Sequence, residues 1–210
     1  MLDGGLSLLA RGPIDAISID ELVAAAGVAK GSFFNHFEDK TAFAAAIFAA
    51  VRGELEAAVG GANATVTDPL ERLSGGMIVA AGFALADPLR FSVMVQTARG
   101  TTLVDHPLNA GVAKDLRACV RAGAIRADTQ RSGVAFWIGC CHTLMTAIVD
   151  QRASRDRALD LLSDMLVLGL TGLGAERAAV ERIVSRSALR AKLQVKARAE
   201  DPAPAPRRST

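Results

Sequence analysis

The run "SIDELVAAAG" writes a helix start and a helix stop within ten residues. Ser18 with Glu21 three positions later is a capping box, and Gly27 supplies the left-handed residue that ends a helix. A helix this short does not persist in water on propensity alone, so neighbours must hold it. The flanking sequence provides them. A short apolar segment, Leu6, Leu8 and Leu9, comes before it and stops at "RGP". After it comes "GVAKGSFFNHFEDK", in which a second very short helix is expected over about 29–36. Asp39 then reads as the N-cap of a long helix through "KTAFAAAIFAAVRGELEAAV". Five of the eight phenylalanines fall between residues 33 and 48. Leu22 and Ala26 share one helical face, and Val28 and Phe33 extend it into the turn and the next helix. Phe37 lies at or past the last turn, where it can fold back onto Phe43 and Ile47. The aromatics are therefore expected to form the core of a three-helix unit built around a helix-turn-helix.

The other face of the second short helix then needs a purpose. At 100° per residue, Lys30, Gly31, Phe34 and Asn35 fall within about 140° of one another while Phe33 points away. Gly31 costs roughly 1 kcal/mol of helix stability relative to alanine but permits close approach to a grooved partner. Lys30 can reach a guanine edge or a phosphate, Asn35 an adenine edge or a phosphate, and Ser32 either. Lys40, with the free N–H groups at the start of the long helix, makes a phosphate clamp.

The rest of the 210-residue chain is helical in periodicity, with no strand-like alternation and no internal repeat. "GGANATVTDP" at 60–69 reads as a linker. Helices are expected at about 69–86, 88–98, 107–123, 128–152 and 155–172, and a basic one at 175–198. "EDPAPAPRRST" reads as a disordered tail. The fold class is all-α. Three units are expected: a helix-turn-helix domain at 1–50, a helical domain at 51–198 and a tail at 199–210. Charge is uneven: residues 1–59 carry −4, residues 60–174 carry +1 and residues 175–210 carry +5. No uninterrupted apolar run reaches the roughly 18 residues that span a bilayer, and the N-terminus lacks the basic start of a signal peptide. Cys119, Cys140 and Cys141 have neither disulfide nor zinc spacing. A reduced, cytoplasmic protein without a membrane partner is the economical reading. No paired carboxylates, phosphate loop, metal spacing or nucleophile–base motif points to an enzyme, a metal site or a cofactor.

"SIDELVAAAGVAKGSFFNHFEDKTAF" resembles the DNA-binding domain of the TetR family of bacterial transcriptional repressors, over about 45 residues from Leu6 to Val51. The family pattern has a Ser/Thr cap, "AGV", Lys/Arg-Gly-Thr/Ser, Phe-Tyr-x-His-Phe and a Lys opening the next helix. The resemblance implies that Ser18 touches a phosphate, that Lys30, Gly31 and Ser32 enter the major groove, that Phe34, Asn35 and His36 read or flank the site, and that Lys40 binds the backbone. For His36 a structural role is equally open, since it is placed on the inward side of its helix. Three departures stand out. Phe34 replaces a tyrosine whose hydroxyl meets a phosphate, Val23 stands where the family usually has alanine, and the first helix lacks the basic residues that commonly precede it. With a headpiece charge of −4, non-specific DNA affinity should be weak and its salt slope shallow.

The resemblance further implies a homodimer on double-stranded operator DNA. The partners would pair through the helices at about 128–152 and 155–172, and the second of these has more leucines than one face needs. A small-molecule effector, mostly hydrophobic, would sit among the helices at 69–98, 107–123 and 128–152. Met77, Phe83, Phe91, Met94 and Trp137 are its expected apolar lining, with Gln96, Arg99 and His142 as polar handles. Cys140 and Cys141 read as buried helix surface or as a redox sensor. The basic helix reads as a solvated face, a dimer contact or a second nucleic-acid patch. The alternative to a ligand-released repressor is a helical small-molecule- or thiol-sensing protein whose DNA binding is weak or lost.

Overall fold

The computed structural model describes residues 2–10, 12–97, 107–130, 132–185 and 189. Among them the chain is helical: α1 (Leu2–Leu9), α2 (Ile19–Ala26), α3 (Lys30–Phe34), α4 (Lys40–Ala62), α5 (Pro69–Ala86), α6 (Pro88–Thr97), α7 (Ala110–Arg121), α8 (Gly133–Asp150), α9 (Arg155–Gly172) and α10 (Arg177–Ile183).

The starts of these helices follow the cap chemistry. Asp39 accepts from Ala42 N–H at 2.7 Å to open α4. Asp68 accepts from Leu70 and Glu71 at 2.8 and 3.0 Å, with Pro69 in the first turn of α5. Ser154 caps α9 through Arg157 N–H at 3.3 Å. At Asp87–Pro88 the chain turns by 115° from α5 into α6, because proline can open a helix but not continue one.

Three boundaries differ from the sequence expectation. α4 does not stop at the glycines but runs through Gly60 and Gly61 to Ala62. Asn63 then caps it from a buried position, and its amide donates to the Arg72 carbonyl at 2.8 Å. The expected linker is therefore a packed turn in its first half. The helices expected from 107 and 128 begin instead with short 3-10 turns, Pro107–Asn109 and Ala127–Gln130, before α7 and α8 proper. Of the basic helix at 175–198, α10 is the described part; residues 186–188 and 190–198 and the tail lie outside the described residues.

α1, α2, α3 and the first turns of α4 make one small layered unit. α1 crosses α2 where a Cβ on Gly4 would collide with the Ala25 backbone, and it meets α4 where a Cβ on Gly5 would come within 2.8 Å of Ile47 Cδ1. In the rest of the chain α5 is central: α4, α6, α7, α8 and α9 pack on it, and α10 packs on α9. α8 is long and apolar enough by composition to cross a membrane, with mean hydropathy 1.4. Val134, Trp137, Leu144, Met145 and Ile148 are buried on its inner face, and 33% of the span is buried in all. α4 crosses the domain boundary expected near residue 50 without a break, so the two parts share a rigid rod.

Candidate nucleic-acid interface and ligand cavity

The headpiece is assembled from its caps inward. Ser18 Oγ accepts from Glu21 N–H at 3.2 Å, while the Glu21 carboxylate accepts from Ser18 N–H at 2.8 Å and Ser18 O–H at 2.7 Å. Those bonds hold the Glu21 carboxyl below its usual range. At the other end Gly27 takes φ 65°, its N–H reaching Ala24 O while Val28 N–H reaches Val23 O. This is a Schellman close, which aims the chain directly into α3. The half-buried Val23 and Val28 occupy the two positions that such a close brings together, which gives the unusual valine a packing reason.

Phe33 is then driven fully inside, with ring centroids 5.5 Å from Phe37 and 5.4 Å from Phe43; Phe37 and Phe43 lie 5.0 Å apart, edge to face. This aromatic cluster, with Leu22 and Ile47, is the core that fixes a five-residue helix no propensity could sustain. Its outward face presents Lys30, Gly31, Ser32, Phe34 and Asn35, all exposed, with Phe34 47% accessible. No atom lies within 4 Å of where a Gly31 side chain would begin. The glycine therefore serves no packing need inside the chain.

His36 departs from its expected place. α3 ends at Phe34 and Asn35 caps it, so the helical rotation does not carry on to residue 36. His36 is exposed, beside the Phe37 ring at 6.4 Å. The two lysines are both engaged. Lys30 Nζ pairs with Asp20 at 2.8 Å across two exposed side chains. Lys40 Nζ donates to the carbonyls of Asp15 and Ile17 at 2.9 and 3.1 Å, tying α4 to the turn before α2. Ser18 is likewise occupied in its cap.

Below the headpiece a cavity of about 550 Å³ opens among α4 to α8. Met94, Trp137 and His142 line it as the sequence suggested. Met77, Phe83 and Phe91 do not: they are buried in the core around α5 and α6, and Phe91 backs the His142 ring at 6.3 Å. The Gln96 side chain and Arg99 lie outside the described residues. The larger part of the wall comes from residues the sequence did not single out. One stripe of α4 supplies Phe48, Arg52, Leu55, Glu56 and Val59; Leu73, Gly76 and Ala80 face it from α5, Val112 and Asp115 from α7, and Ile138, Cys141 and Met145 from α8.

The cavity holds two ion pairs. Arg52 Nη2 meets Glu56 Oε1 at 2.6 Å one turn apart on α4, and Arg72 Nε meets Asp115 Oδ1 at 3.0 Å between α5 and α7. Arg72 also donates to the carbonyls of Asn63 and Val66 at 2.9 and 3.3 Å, closing the turn after α4. Burial pushes the Glu56 carboxyl up, with Arg52 opposing it. All three thiols are also raised by burial, Cys119 and Cys141 to about 12. Thiols held so high are protonated at neutral pH and make poor nucleophiles. Among the described residues no group of three His, Cys, Asp or Glu side chains is placed to hold a metal ion.

Comparison with known proteins agrees with this geometry. A model described as bacterial regulatory proteins, tetR family, matches residues 1–47. No curated protein matches the chain significantly. Among solved structures, a putative tetR family transcription regulator from Shewanella sp. PV-4 superposes with a TM-score of 0.69 at 19% identity, over 84% of this chain and 96% of that one. RolR in complex with resorcinol gives 0.66 at 18% identity, over 88% and 91%. FadR from Bacillus subtilis in complex with stearoyl-CoA gives 0.66 at 17% identity, over 81% and 96%. The family match covers the headpiece, and over the whole chain the likeness to these regulators is one of fold.

Proposed function

We propose that the chain is a homodimeric repressor that binds a pseudo-palindromic operator and releases it when a small, mostly hydrophobic effector fills the cavity. One observation carries the reading. α4 is a single helix whose first turns place Phe43 and Ile47 in the headpiece core and whose later turns line the cavity with Phe48, Arg52, Leu55, Glu56 and Val59. A ligand that displaces the lower half of such a rod moves its upper half, and with it α3. A coupling of about 1–3 kcal/mol would change operator affinity about 5- to 150-fold.

The exposed face of α3 is the DNA-reading surface. Lys30, Ser32 and Asn35 reach base edges and phosphates, Gly31 lets the backbone approach, Phe34 rests on sugar or a thymine methyl, and His36 flanks them. Ser18 and Lys40 act at the backbone, Lys40 chiefly by holding α4 against the turn before α2. Dimerisation runs through α8 and α9. Phe136, Val167 and Leu168 stay exposed there, Leu168 at 67%, and large apolar side chains grouped this way suit a seam between copies. The two α3 helices would then enter major grooves about 34–36 Å apart. RolR and FadR, solved with resorcinol and stearoyl-CoA, show ligands bound by proteins of this fold.

The test is fluorescence anisotropy of the full chain on its own upstream intergenic DNA at two salt concentrations. Saturable binding that weakens only modestly with salt fits an acidic headpiece with few phosphate contacts. No binding even at low salt rejects the repressor reading.

A further inference from the structure

The cavity says which kind of molecule it takes, and this inference rests on the effector reading above. We propose that the effector is a neutral, largely apolar molecule bearing a hydroxyl, and that the site discriminates against carboxylates and ammonium ions of the same skeleton.

Charge balance in the cavity sets this preference. Among the described residues the cavity is lined by two arginines and two carboxylates, and each arginine already has a carboxylate within 3.0 Å: Arg52 with Glu56 and Arg72 with Asp115. These pairs are set in a wall of Phe48, Leu55, Met94, Trp137 and Met145. An anion entering here can still accept from guanidinium N–H groups that the pairs leave over, but both guanidinium charges are already matched by carboxylates, so it adds a net charge that a low-dielectric site disfavours. An entering ammonium faces the mirror problem. A neutral hydroxyl faces neither, because an ion-paired carboxylate keeps acceptor capacity beyond the one bond to its arginine. Glu56 is placed for this. Its Oε1 is on Arg52, while its Oε2 lies 3.5 Å from the position of a Cβ on Gly111, in the first turn of α7, where the glycine leaves space beside it. Arg72 is less available, since its guanidinium is shared between Asp115 and two backbone carbonyls. His142 lines the cavity from an exposed position against Phe91.

The chain carries its own reporter. Trp137 is the only tryptophan, tyrosine is absent, and the indole lines the cavity while 1% exposed. Emission excited in the indole band therefore reads occupancy of this cavity.

The experiment titrates the full-length protein with adamantane, decane and naphthalene skeletons, each as alcohol, carboxylate and ammonium. Trp137 emission is followed for the first two, and calorimetry for the fluorescent naphthalenes. Operator anisotropy is read in parallel. The expected result is that, on every skeleton that binds, the alcohol binds at least tenfold more tightly than either ion. In Glu56→Gln, which removes the carboxylate charge paired with Arg52, the carboxylate should gain at least tenfold; Asp115→Asn provides the same check at the second pair should the first variant not fold. Carboxylates that bind wild type as tightly as the alcohols overturn the inference. So does a panel in which nothing binds although the operator is still bound, and that result leaves the DNA reading intact. Alcohols that bind at Trp137 without changing operator affinity support the ligand class and reject its role as effector. Absence of operator binding in the unliganded protein rejects the repressor reading and leaves the cavity's selectivity to be judged on the titrations alone.

Discussion

Gly31→Ala separates what the chain needs for folding from what it needs for DNA. Gly31 lies within α3, and the space where its side chain would begin is empty to 4 Å. Its backbone is helical, so alanine meets no strain, and replacing glycine in a helix is favourable by up to about 1 kcal/mol. For a chain of this size that raises Tm by about 2–4 °C. In a complex where the α3 backbone presses into a groove, the same methyl must overlap base or sugar. Overpacking by a methyl at a tight contact costs about 1–3 kcal/mol, so operator Kd should rise about 5- to 150-fold. Thermal unfolding by circular dichroism and operator anisotropy on the same preparation give both numbers. A variant that is more stable and binds DNA like the parent would refute the close approach. A destabilised variant would refute the open space around Gly31.

Adjacent phenylalanines should behave in opposite ways. Phe33→Ala empties the aromatic core and should cost about 3–5 kcal/mol in urea unfolding, whereas Phe34→Ala, on the exposed face, should change stability by less than about 0.5 kcal/mol while weakening operator binding. The Cys119 thiol is raised in the folded chain from an ordinary value of 9.0 to about 12, so between these pH values the unfolded state releases a proton that the folded state keeps. Stability should therefore fall as pH rises from about 9 to about 12, and Cys119→Ala should flatten that decline in urea titrations run across the range. Leu168→Asp puts a charge on the most exposed large apolar side chain among the described residues; sedimentation should show a folded monomer, and an undisturbed dimer would move the seam away from α8 and α9.

The sequence announced the headpiece because its signals are local. A capping box, a glycine close and a phenylalanine cluster each act within a few residues, so α2, α3 and the start of α4 fall where Ser18, Gly27 and Asp39 put them. The same holds for α5 and α9, opened by Asp68 with Pro69 and by Ser154. What stayed hidden depended on distant partners. Gly60 and Gly61 read as a break, yet Asn63 and Arg72 exchange bonds across the following turn and keep the helix wound through them. Arg52 and Glu56 look like a solvated one-turn salt bridge on a surface helix; only the placement of α7 and α8 across the cavity from α4 makes them part of its wall. Asp115 and Arg72 are 43 residues apart, and nothing local marks them as a pair. Conversely Met77, Phe83 and Phe91 carry the same chemistry as Met94 and Trp137, and their exclusion from the cavity is decided by which side of α5 and α6 they occupy.

The central claim is that the outward face of α3 reads DNA. The most direct measurement compares wild type with Lys30→Ala/Asn35→Ala by anisotropy on the upstream intergenic DNA, with circular dichroism to show that both fold. The account predicts that wild type binds and that the double variant, equally folded, loses at least tenfold in affinity, since each residue contributes a base or phosphate contact of order 1–3 kcal/mol. Equal binding by the two proteins would contradict it.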